Sequence, residues 1–241
     1  MPKPTTSSTT VTRRRNNAEI DARISDAVYD AILEQKLPPG TLLVEAQLCK
    51  AFDITRGTLR RVLVKLAHEG VVELQPNRGA TIAVHDAAEA RQVFGARMII
   101  ETGSIRELAR CATAHQLAEL RALAAAEHAS RTSGNWRDWI RLSGDFHIQL
   151  AEATGNAIVT GMLRTLVART SLLIGLYESP TRVNCGHDEH LAILDAVEQR
   201  DAERAARLMA EHLGEYISAL HLDAKPAETV DFATLFNRID A

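Results

Sequence analysis

Strand-forming signal is confined to one short stretch of this chain, and that confinement limits its fold more than any other feature. Val71-Val72-Glu73-Leu74 and Ala80-Thr81-Ile82-Ala83-Val84 are β-prone runs separated by Gln75-Pro76-Asn77-Arg78-Gly79, the composition of a hairpin turn. Around them the apolar spacing is helical. Ile20, Ile24, Ala27, Val28, Ala31 and Ile32 predict a helix over residues 19–35, stopped by Leu37-Pro38-Pro39-Gly40. A short helix is predicted over 45–52. After Asp53-Ile54 a third covers 55–68, with Leu59, Val62, Leu63 and Leu66 at i, i+3, i+4 and i+7 and Gly70 as its stop. Beyond Asp86 about six helical segments follow, with breaks near Ala112-Thr113, Ser133-Gly134-Asn135, Gly155-Asn156, Ser179-Pro180 and Arg200-Asp201. Aromatic residues at 4% and seven prolines also argue against an all-β sandwich. The fold expected is mainly α: three helices and a two-stranded wing, then an all-α helical bundle.

A length of 241 residues suits two cores. Four stretches are expected: a disordered arm over 1–17, rich in Thr and Ser and ending in Arg13, Arg14 and Arg15; the three-helix and wing domain over 18–85; the all-helical domain over 86–222; and a polar tail over 223–241, with a short helix near 232–239. With 46% hydrophobic and 24% charged residues and a mean hydropathy of -0.12, the chain has the composition of a soluble globular protein. No uninterrupted apolar run approaches the roughly 18 residues of a membrane helix, and Met1 to Thr10 holds no signal-peptide core, so the expected location is the cytoplasm, with no membrane partner. Cys49, Cys111 and Cys185 are too few and too far apart for a disulfide framework or a zinc–thiolate cluster. The charge is unevenly spread. Through residue 85 there are 12 Lys and Arg against 9 Asp and Glu, net +3; beyond it there are 16 against 22, net -6. A basic small domain on an acidic larger one is the balance of a DNA-binding module carrying a ligand or assembly module.

The helix from Thr55 carries Arg56, Arg60, Arg61 and Lys65 opposite its leucines. Such a stripe is most often a solvated surface. Here a short helix, a tight connection and a wing with Arg78 and Gly79 frame it, the order in which a reading helix enters a major groove. Arginine can donate two parallel hydrogen bonds to guanine, while lysine mainly contacts phosphate; Thr55 and Thr58 can cap the helix or donate to phosphate. The runs Leu37-Pro38-Pro39-Gly40-Thr41-Leu42-Leu43, Ile54-Thr55-Arg56-Gly57-Thr58-Leu59-Arg60, Gly70-Val71-Val72 and Pro76-Asn77-Arg78-Gly79-Ala80, about 70 residues in all, resemble the winged helix-turn-helix of GntR-family transcriptional regulators. The resemblance implies that Arg56 and Arg60 contact an operator and that Gly79 is the wing-tip glycine. Two positions depart from the family pattern: Ala46 stands where some members place a DNA-reading arginine, and Arg61 where a glutamate is frequent.

His147, His190 and His212 lie inside helical segments, each beside apolar residues. Imidazole is the commonest side-chain ligand of divalent transition metals, yet by spacing alone histidines on apolar faces are more often hydrogen-bonded core residues than metal ligands. Residues 86–222 resemble the all-helical ligand-binding domain of the FadR-type subfamily, known as FCD: His147 with Gly155-Asn156, then Glu189-His190-Leu191-Ala192-Ile193, then His212 22 residues later. That likeness implies a divalent metal, Zn or Ni, on the three histidines, helping to hold a small organic acid. Ser143 occupies the place of the acidic ligand that precedes the first histidine by four residues, leaving a vacancy for an oxygen from water or effector. Arg97 and Glu101, at i and i+4, read by spacing as a surface ion pair. By resemblance Arg97 instead points into the cavity to clamp a carboxylate, joined there by Ser143 and Asn156. Arg164 and Arg169 are weaker candidates, Cys185 and His187 are spare ligands, and His68, His85, His115, His128 and His221 read as structural or exposed.

Together these features predict a regulator, repressing by default, that binds a palindromic double-stranded operator as a homodimer and responds to a small carboxylate metabolite. A metal sensor whose effector is the ion, and a three-histidine metal-dependent hydrolase, are the alternatives.

Overall fold

The computed structural model describes residues 8–75, 79–177, 187–219 and 230–236. These divide into two compact units: residues 1–32 and 36–83 with 226–241, and residues 33–35 with 84–225.

In the first unit, α1 (Ser8–Leu33) buries Ile24, Ala27, Val28, Ala31 and Ile32, the stripe expected from the spacing. It begins well before residue 19, so the arm expected through residue 17 is helical from Ser8; residues 1–7 lie outside the described residues. The strand β1 (Leu42–Leu43) precedes α2 (Glu45–Ala51), and Asp53, at a φ of 49°, makes the left-handed turn into α3 (Arg56–His68). Thr55 caps α3 by accepting a hydrogen bond from the Thr58 amide at 3.2 Å, while Leu59, Val62, Leu63 and Leu66 are buried. A left-handed Gly70 follows the helix, and β2 (Val72–Gln75) pairs antiparallel with β3 (Gly79–Ile82), register Val72 to Ile82 through Gln75 to Gly79. The sheet is three-stranded rather than two-stranded, because Leu42 and Leu43 pair with Thr81 and Ala80 on the far side of β3. Two paired residues are too short a run to show as alternation in sequence. The tail also differs from expectation: α10 (Phe232–Phe236) packs on α2 within this unit instead of standing apart.

In the second unit six helices run α4 (Ala87–Cys111), α5 (Ala114–Thr132), α6 (Trp136–Ala153), α7 (Ala157–Tyr177), α8 (His187–Glu198) and α9 (Ala202–Ala219). Their ends coincide with the breaks read from the sequence, apart from Ser179-Pro180, which lies outside the described residues. Caps explain the ends. Asp86, Thr113 and Asn135 each accept a hydrogen bond from the amide three residues on, and Thr113 with Gln116 completes a capping box. Asn156 does the same for α7, accepting from the Val159 amide at 3.2 Å. Phe146, Leu150, Ile193, Val197, Met209 and Leu213 meet in the core with α4 and α5. Helix α7 reaches a mean hydropathy of 1.4 over 18 residues, long and apolar enough to cross a membrane despite the interruptions that hid this in sequence, yet its buried face packs against α4 and α6.

Gly79 sits where the wing meets the rest of its unit. Its φ is 93°, and a Cβ there would stand 2.7 Å from the Leu43 carbonyl oxygen. Gly79→Ala is therefore expected to destabilise the chain by about 1–3 kcal/mol in urea unfolding, through backbone strain and a clash with a main-chain atom that cannot swing away.

Candidate functional site

The periodicity that buries one stripe of each bundle helix also carries polar residues inward. On α4 the buried positions are Val93, Phe94, Arg97, Glu101, Ile105 and Leu108; on α5 they are Leu117, Leu120, Ala124 and Glu127. A carboxylate on an apolar stripe must find a partner or cost several kcal/mol. Each finds an imidazole. Glu101 Oε2 lies 2.5 Å from His147 Nδ1, Glu127 Oε2 lies 2.6 Å from His190 Nδ1, and Glu189 Oε2 lies 2.6 Å from His212 Nδ1. The three histidines come from α6, α8 and α9 and are all buried. Phe146 stacks on His190 at 3.9 Å between ring centres, and Tyr216 meets His212 edge-on at 5.3 Å, so both rings are also held by packing.

With Nδ1–H donating to a carboxylate, each Nε2 presents a lone pair, and these lone pairs converge: His190 Nε2 and His147 Nε2 each lie 3.2 Å from His212 Nε2. Burial holds His147 down to about 4 and His212 well below its ordinary value, against the raising effect of Glu101, so both rings are neutral near pH 7. Burial would push Glu101 up, but Arg97 and His147 together hold it at about 2. Three imidazole Nε2 atoms converging on one point suit a cation. Two imidazoles bound tetrahedrally at about 2.0–2.1 Å would have nitrogens about 3.3 Å apart, close to the spacing seen. The formal charges agree: three glutamates and Arg97 leave -2, which one divalent ion cancels.

The Arg97–Glu101 ion pair expected from the i, i+4 spacing is present, but both side chains are buried rather than at the surface. Arg97 Nε donates to Glu101 Oε1 at 2.6 Å and its Nη1 to Thr170 Oγ1 at 2.7 Å, while Nη2 is buried and unpaired among the described residues. Arg97, Ser143 and His147 share a small cavity with Trp139, Ile140, Ser171, Ile174 and Tyr216, with room for about one water molecule. Asn156 is not there: it is exposed and spent on capping α7. Arg164 is exposed and paired with Glu152, and Arg169 is not among the residues around the cavity. Cys185 and the side chain of His187 lie outside the described residues, as does His221. His85 is buried with Nδ1 3.0 Å from Glu89, His115 pairs with Glu119 on the surface, and His68 and His128 are exposed. Sequence reasoning misses Glu127 altogether, gives Glu189 no role beyond its place in the Glu189-His190 motif, and sets Glu101 at the surface. The detectable signal was a lone carboxylate in phase with the leucines of α5 and the apolar stripe of α4.

On α3 the basic residues do not act as one row. Arg61 forks onto Asp21 of α1 with two hydrogen bonds of 2.7 Å, Lys65 lies 3.8 Å from Glu69, and Arg60 Nε donates to Glu45 at 3.2 Å yet stays 70% exposed. Arg61 thus turns toward α1, because position 61 lies about 100° around the helix from position 60. Arg56 makes no carboxylate pair among the described residues. A groove is bordered by Arg56, Arg60, Val64, Leu74, Gln75 and Gly79. Thr55 is exposed and Thr58 half-buried at the N-terminus of α3, and Arg78 lies outside the described residues.

A winged helix-turn-helix joined to an all-helical unit with a buried imidazole cluster defines a sensor-and-reader class of transcriptional regulator. The chain belongs to the GntR family of bacterial regulatory proteins, whose family pattern matches residues 20–82, and carries an FCD domain over residues 92–215. It is 25% identical over 182 residues to the HTH-type transcriptional repressor RspR of Escherichia coli K12, covering 74% of this chain and 79% of that one. To the HTH-type transcriptional repressor NanR of Enterobacter sp. strain 638 it is 26% identical over 236 residues, covering 87% and 89%. Among solved structures, E. coli McbR/YncC superposes with a TM-score of 0.68 at 17% identity over 83% of this chain and 95% of the other. A GntR transcriptional regulator of Rhodococcus sp. RHA1 gives 0.70 at 21% over 82% and 95%. The family and its relatives are regulators rather than enzymes, which removes the hydrolase alternative.

Replacing Arg97 by Leu leaves the Glu101 carboxylate buried with one partner fewer. The expected loss is about 3–5 kcal/mol of stability, measured as the urea midpoint of the helical unit.

Proposed function

We propose that this regulator binds a two-fold symmetric operator as a homodimer in the cytoplasm, represses from it, and changes its affinity when a small carboxylate enters the helical domain beside a divalent metal. The observation that carries the sensing half is the convergence of three Nε2 atoms, each imidazole backed by its own glutamate. That carboxylate–histidine arrangement fixes the tautomer and raises ligand basicity. His147, His190 and His212 would hold the ion, Zn or Ni by ligand type. The metal would supply a Lewis-acidic centre for an anionic oxygen, with Ser143 beside it in place of an acidic ligand. Arg97 has Nη2 left over to donate to the same carboxylate. A second reading, in which the ion itself is the effector, is favoured by the small size of the cavity in this state.

For the reading half, Arg56 and Arg60 are assigned to base edges, Thr55, Thr58 and Lys65 to phosphates, and Gly79 to the wing's approach. Arg61 is given a structural role by its fork onto Asp21. Dimerisation is supported by apolar side chains left in solvent on the neighbouring helices α4 and α7: Ile99 is 77%, Ile158 71% and Met162 57% exposed. A two-fold dimer presents one reading helix per half-site. A ligand alters the affinity only by binding the two arrangements of the dimer unequally. The repressor names of RspR and NanR support the sign.

Arg56→Ala should weaken binding to a duplex selected by the wild-type chain by about 1–3 kcal/mol and relax base preference, read by gel shift, with metal content unchanged. His190→Ala should abolish stoichiometric metal in the purified protein, and chelation should lower the wild-type melting temperature; a variant that retains the ion would reject the cluster as its site. Ile158→Asp should shift the chain from dimer to monomer in analytical ultracentrifugation while the helical circular dichroism persists.

A further inference from the structure

Residues 230–236 belong to the DNA-reading unit. There Phe232 and Phe236 of α10 are as buried as core residues, and the Phe236 ring lies 4.6 Å from that of Phe52, tilted by 37°. A five-residue helix has no stability of its own in water. This one is started by Asp231, whose Oδ1 accepts from the amides of Ala233 and Thr234 and whose Oδ2 accepts from Thr234 Oγ1 at 2.6 Å. It is held by its aromatic face.

What it is held against matters. Phe52 ends α2, its carbonyl oxygen accepts from Arg23 Nη2 of α1 at 3.4 Å, and the next residue is Asp53 with its left-handed φ. The Ile54 amide then bonds back to the Cys49 carbonyl, Thr55 caps α3, and Arg56 opens it. Three residues, Asp53, Ile54 and Thr55, separate Phe52 from the arginine assigned to the operator. The turn between them fixes where α3 starts.

We infer that α10 is a working part of the reading head: Phe232 and Phe236 are positioning residues that, through Phe52, set the turn from which Arg56 is presented to DNA. This rests on the assignment of Arg56 above. The segment also follows α9, the helix that carries His212 and Tyr216, so the sensor's last helix and the head's buttress are consecutive in the chain.

The test uses the full-length protein and a duplex selected by the wild-type chain from a random pool, beside the same duplex with scrambled half-sites. Phe236→Ala should lower affinity for the selected duplex by roughly tenfold, the scale of one misplaced base contact. Affinity for the scrambled duplex, metal content and circular dichroism should be unchanged, and Phe236→Leu should restore most of the discrimination. Wild-type discrimination in Phe236→Ala overturns the proposal. So does equal loss on both duplexes accompanied by unfolding of the head, which would make α10 a prop for folding alone. Arg56→Ala in parallel separates the two failures: if it is neutral, the assignment of Arg56 falls and the positioning role of α10 with it; if it is impaired while Phe236→Ala is not, only the positioning role of α10 falls.

Discussion

The helical unit depends on how three carboxylates are accommodated inside it. Glu101 and Glu127 are taken out of water by the helices that carry them, and an isolated buried carboxylate is among the costliest groups a core can hold. The solution is reciprocal. Each glutamate orients one imidazole, each imidazole satisfies one glutamate, and Arg97 joins α4 to Thr170 on α7. Every helix from α4 to α9 contributes a side chain to this cluster, so the polar centre fixes the register of the whole bundle. An apolar core of the same volume would hold the helices together without aiming three nitrogens at one point.

The reading unit uses charge differently. Of four cations that look equivalent on α3, one is locked to α1, one to its own helix, and one is tethered lightly to Glu45. Exposed pairs of this kind are worth at most about 1 kcal/mol each. They settle direction more than stability, choosing which guanidinium groups face the groove and which brace the fold. The wing is placed by the same economy of space: Gly79 lets its strand pass close to the Leu43 carbonyl and Glu45, and Glu45 is the residue that holds Arg60.

Element type and order were legible along nearly the whole chain, since buried stripes and caps are local. Ile24 to Ile32 on α1, Leu59 to Leu66 on α3 and the Thr113 capping box announce themselves within a few residues. The departures occur where local signal is weak or misleading. Ser8 to Asn17 lack an apolar stripe yet continue α1. Leu42 and Leu43 become a strand only because β3 offers them partners, and Phe232 and Phe236 show no destination until Phe52 is beside them.

The sequence by itself determined the mainly helical architecture and the stripe of arginines on the reading helix, because periodicity and capping chemistry act over one or two turns, while His147, His190 and His212 stood out as candidate ligands only through the likeness to FCD domains. Only the tertiary structure decided that Glu101, Glu127 and Glu189 stand behind those ligands, that Arg97 is inside, that Asn156 is merely a cap, and that Arg61 turns away. Those outcomes depend on pairs 40 to 73 residues apart in most cases. Which carboxylate meets which cation is set by helix packing, and no local pattern encodes it.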